Sequence, residues 1–314
     1  MANKLIVSAA PHITSADTTS KIMQRVCIAL VPTLIASVVI FGISSLILTA
    51  VTVAACVLFE YGYCKMVGRD ITINDFSAVV TGMLLAFNMP AGMPVWMAIV
   101  GAFIAIVIVK RLFGGLGYNF ANPAIVGRIA MAMGYTGAMT TYMYPANGID
   151  ALSAATPLGA PAAENAGSYM TLLLGNHGGV LGETCAITLL VGGIYLIVTK
   201  VISPMIPVSY LATVAVMSVL MGHDPIFQIL SGGVLLGAFF MATDYVTSPT
   251  TDKGKLIFGI GLGVITCAIR FLGTMNEGVS FAILLMNLVV PYIEVWTRQD
   301  KLGIAKVKKG GAAK

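Results

Sequence analysis

The hydrophobic residues of the chain fall in long runs separated by short polar or basic stretches. Ten runs approach the roughly 17–25 apolar residues that carry a helix across a bilayer. They cover residues 26–48, 51–67, 76–90, 94–110, 121–141, 180–199, 204–221, 226–242, 255–272 and 278–296. The third and fourth are short, and Pro90-Ala91-Gly92-Met93-Pro94 between them predicts a tight turn or a broken helix. The longest polar stretch, about residues 142–179, leaves five runs on either side. The expected organisation is an amino-terminal segment (1–25), a first five-helix unit (26–141), a connecting loop (142–179), a second five-helix unit (180–297) and a basic tail (298–314).

Basic residues give these runs an orientation. Lys4, Lys21 and Arg25 precede the first run, and Lys65 with Arg69, Lys110 with Arg111, Lys200, and Lys253 with Lys255 follow the second, fourth, sixth and eighth. Arg298, Lys301, Lys306, Lys308, Lys309 and Lys314 follow the tenth. Arg270 alone lies near the opposite side. Cytoplasmic loops collect Lys and Arg, so both termini are expected in the cytoplasm and the 142–179 loop outside. The halves also resemble each other. Thr81-Gly82-Met83-Leu84-Leu85 in the third run parallels Ser231-Gly232-Gly233-Val234-Leu235 in the eighth, and Arg111-Leu112-Phe113 parallels Arg270-Phe271. Five being odd, a true repeat would be inverted in the membrane, with irregular helices and binding sites near its midplane. Two unrelated bundles sharing small-residue packing are the alternative.

Composition narrows the class. Of 314 residues, 58% are apolar and only 10% charged, with a mean hydropathy of +0.92. A soluble domain carries about 25% charged residues, so lipid must form part of the solvent here. The net charge of +5 is spread over run ends, not clustered with aromatics, which argues against nucleic-acid binding. The 34 glycines and 18 methionines suit closely packed membrane helices. Cys27, Cys56, Cys64, Cys185 and Cys267 form no CxxC, and His12, His177 and His223 lie far apart, so no metal site is expected. Gly114-Gly115-Leu116-Gly117 lacks the strand–helix setting of a nucleotide fingerprint. The apolar patch at residues 5–10 is too short for a signal peptide, so insertion is expected through the first spanning helix.

Charged groups inside spans cost about 2.5–3.5 kcal/mol each on insertion scales, so they are candidates for function. Arg128 in the fifth run could meet the phosphate of a bound cofactor, line an ion pathway, or pair with a carboxylate or helix-end carbonyls. Glu60 in the second run is a candidate ion-pathway acid. Asn119, Asn122 and Asn287 could line a pocket or cross-link helices. Asp244 and Asp252 are expected to be solvated loop acids.

The outer loop holds Asp150-Ala151-Leu152-Ser153-Ala154-Ala155-Thr156. This resembles the motif Asp-x-x-Ser/Thr-Gly-Ala-Thr at which a flavin transferase esterifies FMN to threonine, with Ala154 where Gly is usual. The likeness continues in Pro11-His12-Ile13-Thr14-Ser15, in Gly114-Gly115-Leu116-Gly117-Tyr118-Asn119 with Asn122-Pro123-Ala124, in residues 241–249 and in residues 277–282. Together these segments resemble the D subunits of Rnf complexes, ion-translocating ferredoxin:NAD⁺ oxidoreductases, and the related B subunits of the sodium-pumping NADH:quinone oxidoreductase.

The resemblance implies an all-α integral membrane fold of about ten transmembrane helices in two inverted five-helix repeats, similar to urea transporters, in a prokaryotic inner membrane. It implies covalent FMN on Thr156, with Asp150 and Ser153 as recognition residues, and non-covalent riboflavin among the helices. Asn119, Asn122 and Arg128 are candidate flavin contacts. The expected partners are membrane and peripheral Rnf subunits carrying flavin and iron–sulfur groups, the flavin transferase and lipid. NAD⁺ and ferredoxin chemistry would belong to those subunits, leaving no catalytic residue here. A cofactor-free solute channel and a structural anchor are the competing readings.

Overall fold

The computed structural model describes residues 17–143, 156–158, 169–175, 177–273 and 278–298. Among them regular structure is helical throughout, apart from an isolated antiparallel bridge between Pro90 and Val180. The chain opens with two long helices, α1 (Thr19–Phe41) and α2 (Ile43–Val67). The apolar pattern put their boundary near residues 49–50, but the break falls at Gly42. Gly42 adopts φ 81°, a left-handed conformation suited to glycine, and its N–H closes on Val38 O at 2.9 Å. Both sides of the break are strongly apolar, so hydropathy carries no mark of it.

A 3₁₀ turn (Ile73–Asp75) leads into α3 (Ser77–Phe87). Eleven residues make α3 about 16 Å long, half the hydrocarbon thickness. The chain then runs irregularly through residues 88–94, as Pro90 and Pro94 predicted, with Asn88, Met89, Pro90, Ala91 and Met93 buried. It resumes as α4 (Val95–Phe103), which passes into a π-helical segment, Ile104–Arg111. α5 (Pro123–Gly134) and α6 (Thr136–Thr140) follow.

The stretch expected to be a polar loop contains a short helix, α7 (Tyr169–Leu174), with Leu172 buried. Residues 180–185, assigned by pattern to the sixth span, are irregular and buried, and helix begins only at α8 (Ala186–Val198). Then come α9 (Met205–Leu220), α10 (Pro225–Leu230) and α11 (Val234–Leu236), the last running into a second π-helical segment, Gly237–Met241. The eighth apolar run is therefore three pieces instead of one span. α12 (Asp252–Leu272) and α13 (Val279–Thr297) close the described chain.

Among the described residues four helices, α1, α2, α12 and α13, are long and apolar enough to cross a membrane, and α3, α5, α8 and α9 are shorter and apolar. Large hydrophobic side chains such as Ile35, Val39, Leu58, Val208 and Val216 face outward. The chain is an integral membrane protein.

Glycine sets how closely these helices approach. A Cβ on Gly82 of α3 would lie 2.7 Å from Val53 Cα of α2. On Gly263 of α12 it would lie 2.5 Å from Thr213 Cβ of α9, and on Gly259 it would overlap Ser209 Oγ and come within 3.0 Å of Ile206 O. Backbone contact at this range is the packing that small residues permit in lipid. Gly259→Leu is expected to force α9 and α12 apart at a cost of about 1–3 kcal/mol. It should lower the thermal unfolding midpoint of the detergent-solubilised protein, whereas Gly62→Ala, which faces open space, should not.

Candidate functional site

The broken helices meet in the interior, and their free backbone groups pair there. The carbonyls of Phe87 and Met89, at and just past the end of α3, accept from Gly182 N (2.8 Å) and Leu181 N (3.1 Å) of the segment before α8. Asn88 Nδ2 donates back to Leu84 O at 2.6 Å. From the other half, Met241 O at the end of the second π segment accepts from Asn122 Nδ2 at 3.2 Å. Asn122 Oδ1 accepts from Ala124 N at 3.0 Å and so caps α5, whose first residue is Pro123. With its amide nitrogen turned toward carbonyls, Asn287 of α13 donates to Thr247 O (3.1 Å) and accepts from Asn122 N (3.2 Å). Three asparagines thus tie the chain where helix gives out.

On one face of this crossing lies a buried charge cluster. Glu60 of α2 is fully buried. Its Oε2 accepts from Lys110 Nζ at 2.8 Å, and its Oε1 pairs with Arg111 Nη2. Arg111 also donates to Thr72 Oγ1, which donates to Glu60 Oε1 at 3.1 Å. Lys110 Nζ reaches Ser77 Oγ at 2.6 Å, and Ser77 in turn donates through N and Oγ to Asp75. Sequence pattern assigned Lys110 and Arg111 to the membrane surface. They are buried instead, because the π-helical turn that carries them faces α2 and Glu60 is there to receive them. Glu60 holds both cations, so it is not an isolated acid.

Beside this cluster opens a cavity. Lys110, Ser77, Thr81, Asn119, Asn122, Thr243 and Asp244 supply its polar wall, and Phe239, Phe240, Leu84 and Val80 its apolar wall. Asp244 is only partly exposed and accepts from Thr247 Oγ1 at 3.1 Å, so it is less solvated than expected, while Asp252 stays exposed in the first turn of α12. Ile22 and Met23, at the start of α1, line the same cavity, whereas Ile40 near the end of α1 lies against Gly175. The cavity and α7 therefore belong to opposite faces.

The α7 face carries the second polar group of the interior. Arg128 of α5 pairs with Glu183 Oε1 at 3.7 Å and donates to Ser280 Oγ of α13. The carboxylate of Glu183 lies against Gly233, where a Cβ would clash with it. Next in the chain, Gly232 has φ 66°, and a Cβ there would lie 2.8 Å from Leu158 Cδ1 and 2.9 Å from Arg270 Nη2. Arg270 donates to Gln228 O (2.7 Å) and Ser231 O (3.1 Å), carbonyls left free where α10 stops. At the other end of α10, Asp224 caps Ile226 N at 2.9 Å. The Tyr169 hydroxyl beside Asp224 holds its carboxyl below the usual carboxylate range. Thr156, Pro157 and Leu158 are partly exposed, so the threonine of the motif stands near the Ser231-Gly232-Gly233 turn. Asp150 and Ser153 lie outside the described residues.

Asn119 and Asn122 thus share a cavity, while Arg128 lies beyond it, toward the Thr156 face. Glu183, Lys110, Arg111, Thr72 and Ser77 were not singled out by sequence. Glu183 carried a signal, as an acid at the start of an apolar run. The partners of Glu60 did not, since run-end cations look the same whether solvated or buried. Among the described residues no cluster of His, Cys, Asp or Glu could hold a metal ion, and the described cysteines are free.

These features define a polytopic membrane protein whose interrupted helices bury polar and charged groups on both sides of a central crossing. The model of the NQR2, RnfD, RnfE family matches residues 6–303, and the chain belongs to that family. It is 46% identical to the D subunit of the Na⁺-translocating ferredoxin:NAD⁺ oxidoreductase complex of Acetobacterium woodii, over 98% of both chains. It is 41% identical to the D subunit of the proton-translocating ferredoxin:NAD⁺ oxidoreductase complex of Clostridium ljungdahlii, over 96% of this chain and 97% of that one. The D subunit of the ion-translocating oxidoreductase complex of Alcanivorax borkumensis is 34% identical over 98% of this chain and 99% of its own length.

Removing one partner of a buried ion pair costs about 3–5 kcal/mol, because the remaining charge stays buried. Glu60→Ala strands two cations at once. It is expected to lower the thermal unfolding midpoint and the yield of folded protein well below those of Lys255→Ala, which removes only a surface pair with Asp252.

Proposed function

We propose that this chain is the flavin-bearing membrane subunit of a complex that passes electrons from reduced ferredoxin to NAD⁺ and couples the transfer to outward movement of Na⁺ or H⁺. The observation that carries the reading is the match along nearly the whole chain to relatives of that name, joined to the Asp150–Thr156 motif. Those two relatives are named for different ions, so overall similarity does not select the ion.

In this reading the apolar runs form two five-helix repeats of opposite orientation. Matching neighbours support it: α2 packs on α3 and α4 as α9 packs on α10 and α12, while α1 meets α8 and α5 meets α13. The termini face the cytoplasm and Thr156 faces outward, as the distribution of Lys and Arg requires.

FMN is joined to Thr156 through a phosphoester, where it supplies one- and two-electron transfer. The residues present suit such a group. Thr156 is partly exposed, hence within reach of a flavin transferase, and Leu158 seats the segment against Gly232. Asp150 and Ser153 serve recognition, and Ala154 in place of glycine keeps the motif small. Arg270 beside Gly232 puts a guanidinium group on the side that receives the phosphate, while Arg128 is held in its pair with Glu183.

A second, non-covalent flavin, riboflavin, is proposed for the cavity on the opposite face. Asn119 and Asn122 offer amide groups to the polar edge of a flat heteroaromatic ring, and Phe239 and Phe240 offer apolar walls, the composition expected of a cofactor pocket. Glu60, tied to the cluster on that side, is the acid proposed for the ion path. Other membrane and peripheral subunits bring the iron–sulfur and flavin groups that act on ferredoxin and NAD⁺. Exposed apolar residues such as Tyr292, Val295 and Trp296 of α13 remain for them and for lipid.

Denaturation strips non-covalent flavin, so in-gel fluorescence and intact mass isolate the covalent one. Co-expressed with the flavin transferase, the denatured chain is expected to fluoresce and to carry one FMN, with both signals lost in Thr156→Ala. A native complex whose denatured chain carries no added mass would overturn the assignment and favour a solute pathway or a structural anchor.

A further inference from the structure

Two cavities adjoin on the outer side of α9 and α12. The larger, about 560 Å³, is an open groove between the helices, walled by Met205, Val208, Ala212 and Val216 of α9 and by Leu256 and Ile260 of α12. Gly259 and Gly263 bring α12 against Ser209 and Thr213, which line its base. Those two hydroxyls donate to carbonyls of their own helix, Ser209 to Met205 O at 2.6 Å and Thr213 to Ser209 O at 2.7 Å, so the groove is hydrocarbon in character. The smaller cavity, about 210 Å³, lies at the end where both helices begin. Ser203 and Lys255 line it, and the next residues in the chain, Pro204 and Leu256, line the groove. Ser248 and Thr250 add to its polar wall.

Among the described residues that line these two cavities, Lys255 carries the one charge. The acids around it are placed otherwise. Asp252, itself exposed, meets Lys255 Nζ at 3.4 Å. Glu294 of α13 accepts from Thr250 N and Oγ1, and Asp244 accepts from Thr247 Oγ1 and lines the cavity beside Lys110. An ammonium group donates three hydrogen bonds, so Lys255 keeps capacity for an anion after meeting Asp252. Ser203 Oγ accepts from Met205 N at 3.5 Å and keeps its own hydrogen to donate. Depth separates the occupants such a groove could take. From Met205 to Met217 it follows α9 for about 18 Å, little more than half of the roughly 30 Å hydrocarbon core. A membrane-spanning partner helix would use the full thickness, whereas this groove has the depth of a single leaflet. The exposed Lys200 and Lys253 mark its polar end as the membrane surface.

We propose that this composite site binds one anionic phospholipid from the leaflet on the Lys255 side, with an acyl chain along the α9–α12 groove and the phosphate on Lys255 and Ser203. Lys255 selects headgroups of net negative charge, because the cationic end of a choline headgroup would lie against its ammonium group. Thr243 and Tyr245 wall both the headgroup pocket and the cavity beside Lys110, so the bound lipid also braces the turn that closes that cavity.

The test uses the full-length chain, stripped of lipid in detergent and given phosphatidylglycerol whose acyl chain carries a photoreactive diazirine. Peptide mapping after illumination is expected to find the label on residues 205–217 and 256–260. Ala212→Trp, which fills the groove from its exposed side, should abolish it. Unlabelled phosphatidylglycerol should raise the thermal unfolding midpoint, and phosphatidylcholine much less. Lys255→Gln is expected to weaken phosphatidylglycerol binding roughly tenfold, read from the dependence of the midpoint on lipid concentration, while its lipid-free midpoint stays near that of the parent. Lys253→Gln removes the same charge about 200° around the helix and should leave the affinity unchanged.

Equal losses in the two lysine variants, or label spread evenly over the exposed helices, would mean general attraction to a basic surface or annular lipid, and overturn the proposal. An equal midpoint shift from inorganic phosphate overturns it as well, because the groove would then contribute nothing. So does a native complex in which the label is absent from α9 and α9 crosslinks instead to a helix of another subunit.

Discussion

A peptide group left unpaired in hydrocarbon costs several kcal/mol, and three interior breaks in the helices described are arranged around that cost. Where α3 stops, the carbonyls of Phe87 and Met89 are taken by Gly182 and Leu181. Where the second π segment stops, Asn122 reaches Met241 O. Where α10 stops, Arg270 covers the carbonyls of Gln228 and Ser231. Each repair uses a residue from a distant part of the sequence, so the interruptions in one half of the chain are satisfied largely by the other. Polar side chains brought in to complete the backbone are also the side chains available for chemistry. The candidate sites therefore lie beside the breaks and not along the uninterrupted helices.

The same constraint governs charge. Insertion of Glu60, Lys110, Arg111, Arg128 and Glu183 into a lipid-embedded fold is tolerable because each lies against an opposite charge or a hydroxyl. The two groups differ in character. Arg128 and Glu183 form a one-to-one pair under the Thr156 face, supported by Ser280. Glu60 is shared by two cations on the cavity face, where Asp75 is joined to Lys110 through Ser77.

Much of this was legible in the apolar runs, and the unread parts have physical causes. Long runs and low charge content identified the membrane class, and Pro90 and Pro94 marked the break after α3. The break at Gly42 was hidden because lipid is equally apolar on both sides of it. Residues 180–185 passed for helix because a buried irregular segment carries the same apolar side chains as a buried helix, and only Gly179 and Gly182 hint at the difference. Lys110 and Arg111 passed for surface residues because the rule that places cations at run ends says nothing about whether a carboxylate waits within reach. Thr156 was singled out through a motif, since no local physical property separates it from other threonines in a small-residue loop. The seat of Leu158, two residues further on, against Gly232 needed the fold, because the two are 74 positions apart.

The half-length helices have a consequence for the membrane voltage. A transmembrane potential falls across material of low dielectric and is nearly flat within polar or hydrated regions. The cavity beside Lys110 and the Arg128–Glu183 group bring polar atoms into the interior from opposite sides of the crossing. A voltage across such an interior, worth about 2.3 kcal/mol per elementary charge per 100 mV, would fall most steeply between those two polar groups. A charge passing between them would do much of its electrical work near Asn88, Met241 and Asn287, where the broken helices meet.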